Sequence, residues 1–231
     1  MFKRFIGDRA FYRRALMVAI PIIIQNGITN FVSLLDNVMV GQVGTVPMSG
    51  VAIVNNLIFV FNMCIFGATS GAGIFTAQFH GSQDHEGVRS TFRYKILISL
   101  LLSALGCTLF HFWGKDLAML YLKGEKDPAL VDATLAHGLS YLRIMLLGLL
   151  PFALSYSYSS TLRETGKGTV PMVASITAVL VNLGLNYVLI FGHFGAPALG
   201  IRGAAIATVV IIRRKKRGAA VADAPAEEEN A

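Results

Sequence analysis

An all-α fold, a polytopic membrane helical bundle, is what this sequence predicts, and two observations carry the prediction. The 231 residues are 54% hydrophobic and only 14% charged, with a mean hydropathy of +0.60. That leaves too little polar side chain to cover a water-soluble domain. The apolar residues also recur in long runs separated by short polar breaks. A helix needs about 20 residues to cross about 30 Å of hydrocarbon, and runs of that order occur at 15–40, 51–79, 91–112, 136–161 and 170–191. A sixth run, 199–212, rises only about 21 Å as a helix, roughly a third short of the membrane core. It ends at Arg213, Arg214, Lys215, Lys216 and Arg217. The predicted organisation is therefore a basic N-terminus over 1–14, a six-helix transmembrane lobe with a shortened sixth helix over 15–212, and a basic then acidic tail over 213–231. That tail is Ala-rich and closes on Glu227, Glu228 and Glu229, too poor in large apolar groups to fold.

The net charge is +7, and its placement decides what it means. Basic residues flank the apolar part instead of alternating with aromatics along a groove-facing surface, which argues against a nucleic-acid partner. Cytoplasmic segments of membrane proteins retain positive charge. With both termini inside, the cytoplasmic segments hold Lys3, Arg4, Arg9, Arg13, Arg14, Arg89, Arg93, Lys95, Arg163, Lys167 and the run 213–217. The external loops hold only Lys115, Lys123, Lys126 and Arg202, with Arg143 inside a span. An even number of crossings in the cell (inner) membrane, with cytoplasmic termini, follows. The first apolar run continues past Gln25 with no small-residue cleavage site after it, so it reads as a retained span and not a signal peptide.

Polar residues inside the spans mark the candidate sites. Asn26, Thr29, Asn30, Ser33, Asp36 and Asn37 recur at steps of three and four and share one face of the first helix. A carboxylate in a span must face protein or water, which makes Asp36 the leading functional candidate. A position in the external headgroup layer, solvated and idle, is the alternative. Asn55, Asn62 and Thr69 lie seven apart on the second helix, and Gly67, Gly71 and Gly73 offer a small face for close helix approach. Asn182 and Asn186 are one turn apart on the fifth helix and can point at one site. Amides of this kind either line a cavity, where they coordinate a cation or bond a protonated carboxyl, or glue helices together. Arg143 either neutralises an acid across the bundle or snorkels to the headgroups.

Enzyme chemistry finds no purchase. His80, His85, His111, His137 and His193 are scattered without paired ligand spacing, and no Gly-rich phosphate loop ends in Lys-Ser or Lys-Thr. Cys64 and Cys107 each sit in an apolar run and read as inert small hydrophobes. No metal site and no cofactor are expected, so transport work would draw on an ion gradient.

Several local patterns, in order along the chain, resemble one family. Ala19-Ile20-Pro21 is followed by Leu35-Asp36-Asn37-Val38-Met39-Val40-Gly41. Gly71-Ala72-Gly73 precedes Ala77-Gln78-Phe79 and Gly81 at the end of the second helix. Leu162-Arg163, Gly166, Pro171 and Met172 lie between the fourth and fifth, before Asn182-Leu183-Gly184-Leu185-Asn186-Tyr187 and Gly203-Ala204-Ala205-Ile206-Ala207-Thr208. Together they resemble the amino-terminal half of the multidrug and toxic compound extrusion (MATE) transporters.

The resemblance implies an exporter of small amphipathic, often cationic compounds in exchange for protons or sodium ions, by alternating access between two six-helix lobes. It implies a coupling-ion site of Asp36 with Asn182, Asn186 and Thr208, a hinge at Pro21, and a cavity lined by Asn26, Asn30, Ser33, Asn37, Asn55 and Asn62. Withdrawal from water disfavours the charged form of a carboxyl, and a helix-interior proline provides a place to bend. Many proton-coupled relatives carry an aspartate at the position of Asn186, so this chain departs from them there. It also lacks the second lobe, and 211–231 reads as a premature end or as the tail of a half-size protein. The expected partners are a small-molecule drug or metabolite, the bilayer, and the missing C-terminal lobe or a second copy. Two other readings compete: a lipid-linked sugar flippase of the same superfamily, and a non-transporting membrane interaction protein whose polar stripes are helix glue.

Overall fold

A computed structural model describes residues 8–222, and among these the regular structure is entirely helical. The helices are α1 (Arg9–Gly41), α2 (Thr45–Gly81), α3 (His85–Leu122), α4 (Pro128–Glu164), α5 (Thr169–Phe191) and α6 (Ile201–Ala222), with one 3-10 turn at His193–Gly195. Five of them, α1 to α5, are long and apolar enough to cross a membrane. The elements begin and end where local chemistry dictates. Asp84 caps α3 by accepting from the Gly87 amide, and Asp127 caps α4 by accepting from the Ala129 amide, with Pro128 in the first turn. Gly192, at φ 76°, closes α5 in a left-handed conformation that disfavours side chains.

The helices outrun the apolar runs that predict them. α3 starts at His85 instead of residue 91 and α4 at Pro128 instead of 136, because the aspartate caps Asp84 and Asp127 let each helix begin before its apolar stretch. The largest difference is at the end. The apolar part of α6 is short, and α6 is not among the membrane-long helices. The helix itself nevertheless runs through the basic cluster at 213–217 to Ala222, where an unstructured tail is expected. Arg, Lys and Ala are strong helix formers, so the charged run ends the apolar surface without ending the backbone hydrogen bonding. In the same way α1 begins at Arg9, inside the stretch assigned to a basic N-terminus. The remainder of that stretch, 1–7, and the acidic end, 223–231, lie outside the described residues.

α4 is the hub. It packs on α2, α3 and α6, while α5 bridges α6 to α1. Its core partners include Val54, Phe61 and Ile65 of α2, Phe110 of α3, and Ala205 and Val209 of α6, closed around Leu142, Leu149 and Ala153. The α2–α4 crossing is made by glycine. A Cβ on Gly50 would stand 2.7 Å from the Thr134 carbonyl oxygen and 2.8 Å from the Gly138 amide nitrogen, so the backbones touch only because none is present. The glycine face expected at Gly67, Gly71 and Gly73 does not work this way. Gly67 and Gly71 have open space where a Cβ would go, and only Gly73 is in contact, against the Glu164 carboxylate.

Gly50→Val is therefore expected to lower the thermal stability of the detergent-solubilised chain by about 1–3 kcal/mol, the range of overpacked interiors. Gly67→Ala should leave it unchanged. Thermal unfolding of the two variants side by side checks this.

Candidate functional site

A recess of about 400 Å³ opens between the C-terminal third of α1, the first half of α2, α4 and α6. Its polar wall is built from Ser33, Asp36 and Asn37 of α1, Asn55 and Asn62 of α2, Asn186 of α5 and Thr208 of α6. Its apolar wall includes Phe59, Met145, Leu149 and Phe152. At the centre the Asn186 Nδ2 donates to the Asp36 Oδ1 at 2.8 Å, and also contacts the Asn182 Oδ1 at 3.3 Å. Asn186 is 1% exposed, so this amide pins the carboxylate from inside the bundle. Thr208 faces the recess with its hydroxyl spent on the Ala204 carbonyl at 3.0 Å. The buried Tyr141 hydroxyl reaches the Asn55 Oδ1 at 3.4 Å.

Hydrogen bonding here is incomplete. The Asn182 Nδ2 and the Asn186 Oδ1 are both buried and without a partner among the described residues. A buried donor and a buried acceptor left open beside a carboxylate are costly unless something further is bound. Carboxylate oxygen, amide oxygen and hydroxyl suit a proton or a hard cation that prefers oxygen ligands.

Two residues expected in the cavity lie elsewhere. Asn26 and Asn30 are exposed on α1 and do not line the recess. They sit eleven and seven residues before Asn37, about 16 and 10 Å back along the helix, whereas the recess lies beside the last turns of α1. Pro21 is buried, and α1 runs continuously through it. Proline removes an amide donor from the helix, and a turn later Gln25 Nε2 donates to Ser175 Oγ at 2.9 Å, tying α1 to α5. Arg143 is exposed on α4 and pairs with no acid across the bundle among the described residues.

Sequence reasoning missed a second polar system. Lys95, assigned to a cytoplasmic segment, is inside α3 with its side chain 0% exposed. It is ion-paired to Glu164 at the end of α4, with Ser160 Oγ at 3.3 Å and Thr161 Oγ1 at 3.4 Å. Below it, the Ser99 and Ser157 hydroxyls lie 2.7 Å apart. The signal was available: Lys95 and Ser99 are one turn apart, as are Ser157 and Thr161, giving α3 and α4 matching polar rows. An aromatic strip was also passed over. Phe152 and Phe66 both pack on Tyr156, whose ring lies 5.6 Å from the Arg163 guanidinium.

A family model described as MatE matches residues 21–188. The chain belongs to that family. Among its relatives, the probable multidrug resistance protein NorM of Thermotoga maritima is 25% identical over 205 residues, which is 86% of this chain and 41% of that protein. The multidrug resistance protein PmpM of Pseudomonas aeruginosa is 28% identical over 201 residues, 87% of this chain and 40% of its own. The chain thus spans about two fifths of the length of the curated relatives it matches, corresponding to the amino-terminal half of a MATE transporter. In three dimensions it superposes on a MATE protein crystallised with MaL6 at a TM-score of 0.83 and 16% identity, over 96% of this chain and 48% of that one. An outward-facing multidrug resistance MATE transporter gives 0.75 at 20% identity, over 90% and 44%. The all-α lobe is that of the MATE fold.

The Lys95–Glu164 pair lends itself to a direct check. Removing one partner strands a buried charge, so Lys95→Met should destabilise the chain by about 3 kcal/mol or more. The double variant Lys95→Met/Glu164→Gln should recover much of that loss. A double-mutant thermal-denaturation cycle in detergent reads both.

Proposed function

We propose that this chain forms one lobe of an ion-coupled antiporter that moves small amphipathic or cationic compounds out of the cell, with Asp36 as the coupling-ion acceptor. The observation that carries this reading is the Asn186–Asp36 hydrogen bond at 2.8 Å, on the wall of a recess that combines carboxylate, amides and aromatic rings. With Asp36 charged, the Asn186 amide N–H holds it. A half-turn of the amide about its own axis presents the Asn186 Oδ1 instead, an acceptor for a protonated Asp36 or a ligand for sodium. Loading the site thus needs only a local exchange of partners, and α1 can answer it by bending at Pro21, where one backbone hydrogen bond is already missing. The aromatic and apolar side of the recess offers surface to a flat hydrophobic cation, which is attracted to ring faces.

Asp36→Asn in the full two-lobe transporter should abolish ion-coupled efflux and leave expression and folding intact. Drug resistance in a hypersensitive host measures it, and resistance equal to wild type would remove Asp36 from the coupling role.

Alternating access depends on two lobes rocking about a shared cavity. The exposed polar face of α1, with Asn26, Asn30, Ser33 and Asn37, supports a partner surface there, since lipid does not solvate amides. The chain alone is then inactive. Reconstituted in liposomes under an imposed proton or sodium gradient, it should leave a fluorescent cationic dye unmoved. Gradient-driven movement that is lost in Asp36→Asn would instead establish a working dimer of this lobe.

A further inference from the structure

A second recess of about 400 Å³ lies at the opposite end of the lobe from the Asp36 site, where the α2–α3 and α4–α5 turns meet. Its rim is exposed and polar: Arg89 from the first turns of α3 and Lys167 from the turn after α4 are its cations, beside the His80 and His85 imidazoles. Its floor is apolar and half-buried, formed by Val88, Phe92, Tyr158 and Leu162. The Phe92 and Tyr158 rings meet edge to face at 4.9 Å and hold the floor open between α3 and α4.

The charged side chains that line the recess, Arg89 and Lys167, are both basic, and no acid among the described residues lines it, which favours an anion. Glu164, the acid closest in sequence to Lys167 on α4, is committed to Lys95. Glu86 lies 3.9 Å from Arg89, but both are largely exposed, and an exposed pair in that geometry holds its partners weakly. Lys167 has no ion partner among the described residues. Asp84 is engaged as the α3 cap, and the positive end of that helix points toward the same rim. The threonines in the wall are not available, because Thr161 Oγ1 donates to the Ser157 carbonyl and Thr165 Oγ1 to the Thr161 carbonyl.

We propose that this recess seats the phosphate headgroup of an anionic phospholipid, with Arg89 and Lys167 on the phosphate and the start of an acyl chain on the Phe92–Tyr158 floor. The chemistry recognised is a phosphate with apolar material attached. A free phosphate ion satisfies the rim and has no use for the floor, whereas a phospholipid uses both. The recess also lies at the level where the spans end, which is where headgroups are, and basic pockets between helices at that level are suited to anionic lipid.

The test uses the full chain purified in a neutral detergent and native mass spectrometry of bound lipid. The probes are phosphatidylglycerol, phosphatidylcholine and inorganic phosphate. Phosphatidylglycerol should be retained over phosphatidylcholine, by about fivefold for each basic residue engaged. Arg89→Gln/Lys167→Gln should bring the two lipids level, Arg89→Lys/Lys167→Arg should keep the preference, and so should Arg93→Gln, which removes a charge from α3 outside the recess. Equal retention of the two lipids by wild type overturns the proposal, as does a preference that survives the double Gln variant. Displacement of phosphatidylglycerol by an equal concentration of inorganic phosphate also overturns it and assigns the site to the free ion. Should the double variant fail to fold, Lys167→Glu in the exposed turn carries the same comparison.

Discussion

The backbones of α2 and α4 touch at Gly50 and Gly138, and the positions of the other helices follow from that contact. A helix pair in lipid has no hydrophobic drive to associate, because lipid tails are as apolar as leucine; close approach and dispersion supply the attraction instead. With no Cβ at Gly50, the Thr134 carbonyl and the Gly138 amide come within 3 Å of where one would stand. One turn further along α2 is Val54, fully buried, and beyond it Phe61 and Ile65 carry the seam downward. Asn55, adjacent to Val54, is thereby turned to the side of the crossing, within reach of the Tyr141 hydroxyl. The recess that holds Asp36 lies beside this crossing, and neither glycine lines it.

The two polar systems of the lobe differ in how completely they are satisfied, and that difference favours the proposed role of the Asp36 site. Lys95 has a carboxylate and two hydroxyls around its ammonium group, enough acceptors for its three protons. The cluster joins α3 to α4, is packed against Gly73 of α2, and leaves nothing open. At the other end, two of the four buried side-chain atoms that lack a partner among the described residues belong to Asn182 and Asn186. A protein that keeps a buried donor and acceptor open next to an acid accepts a cost in stability, and sites that bind and release something are where such costs are retained. The other two are the Ser103 hydroxyl, one turn on from Ser99, and the Ser155 hydroxyl.

Much of this was legible in the sequence because the bilayer makes few demands and enforces them strictly. Five of the apolar runs are membrane-long helices, since a chain in hydrocarbon must bond its own backbone. The three-and-four spacing around Asp36 and the one-turn pair Asn182 and Asn186 were readable for the same reason, and the structure brings Asp36 and Asn186 into contact. What was not legible depends on helix pairing. Lys95 counts with a cytoplasmic segment because, although the polar rows of α3 and α4 are readable, a single sequence does not say that they face each other or that Glu164, 69 residues on, is the partner. Asn26 and Asn30 looked equivalent to Ser33 and Asn37 because a stripe records the face of a helix but not how far a cavity extends along it. The α6 boundary failed because hydropathy reports where a helix stops being apolar, and Arg and Lys continue helices well.

The placement of the two recesses also bears on how a lobe of this kind stays oriented while part of it moves. α2, α3 and α4 are joined by the glycine crossing, the ion pair and the serine contact, whereas α1 is held chiefly by α5, through links such as Gln25 to Ser175. Asp36 stands on α1 and Asn186 on α5, the helix α1 chiefly packs against, so a change at the carboxylate acts first on that pair. The basic rim at Arg89 and Lys167 belongs to the tightly held group. On the two proposals, an anionic headgroup would meet the tightly joined helices and a coupling ion the α1–α5 pair, so the two charges would act at separate ends of the lobe.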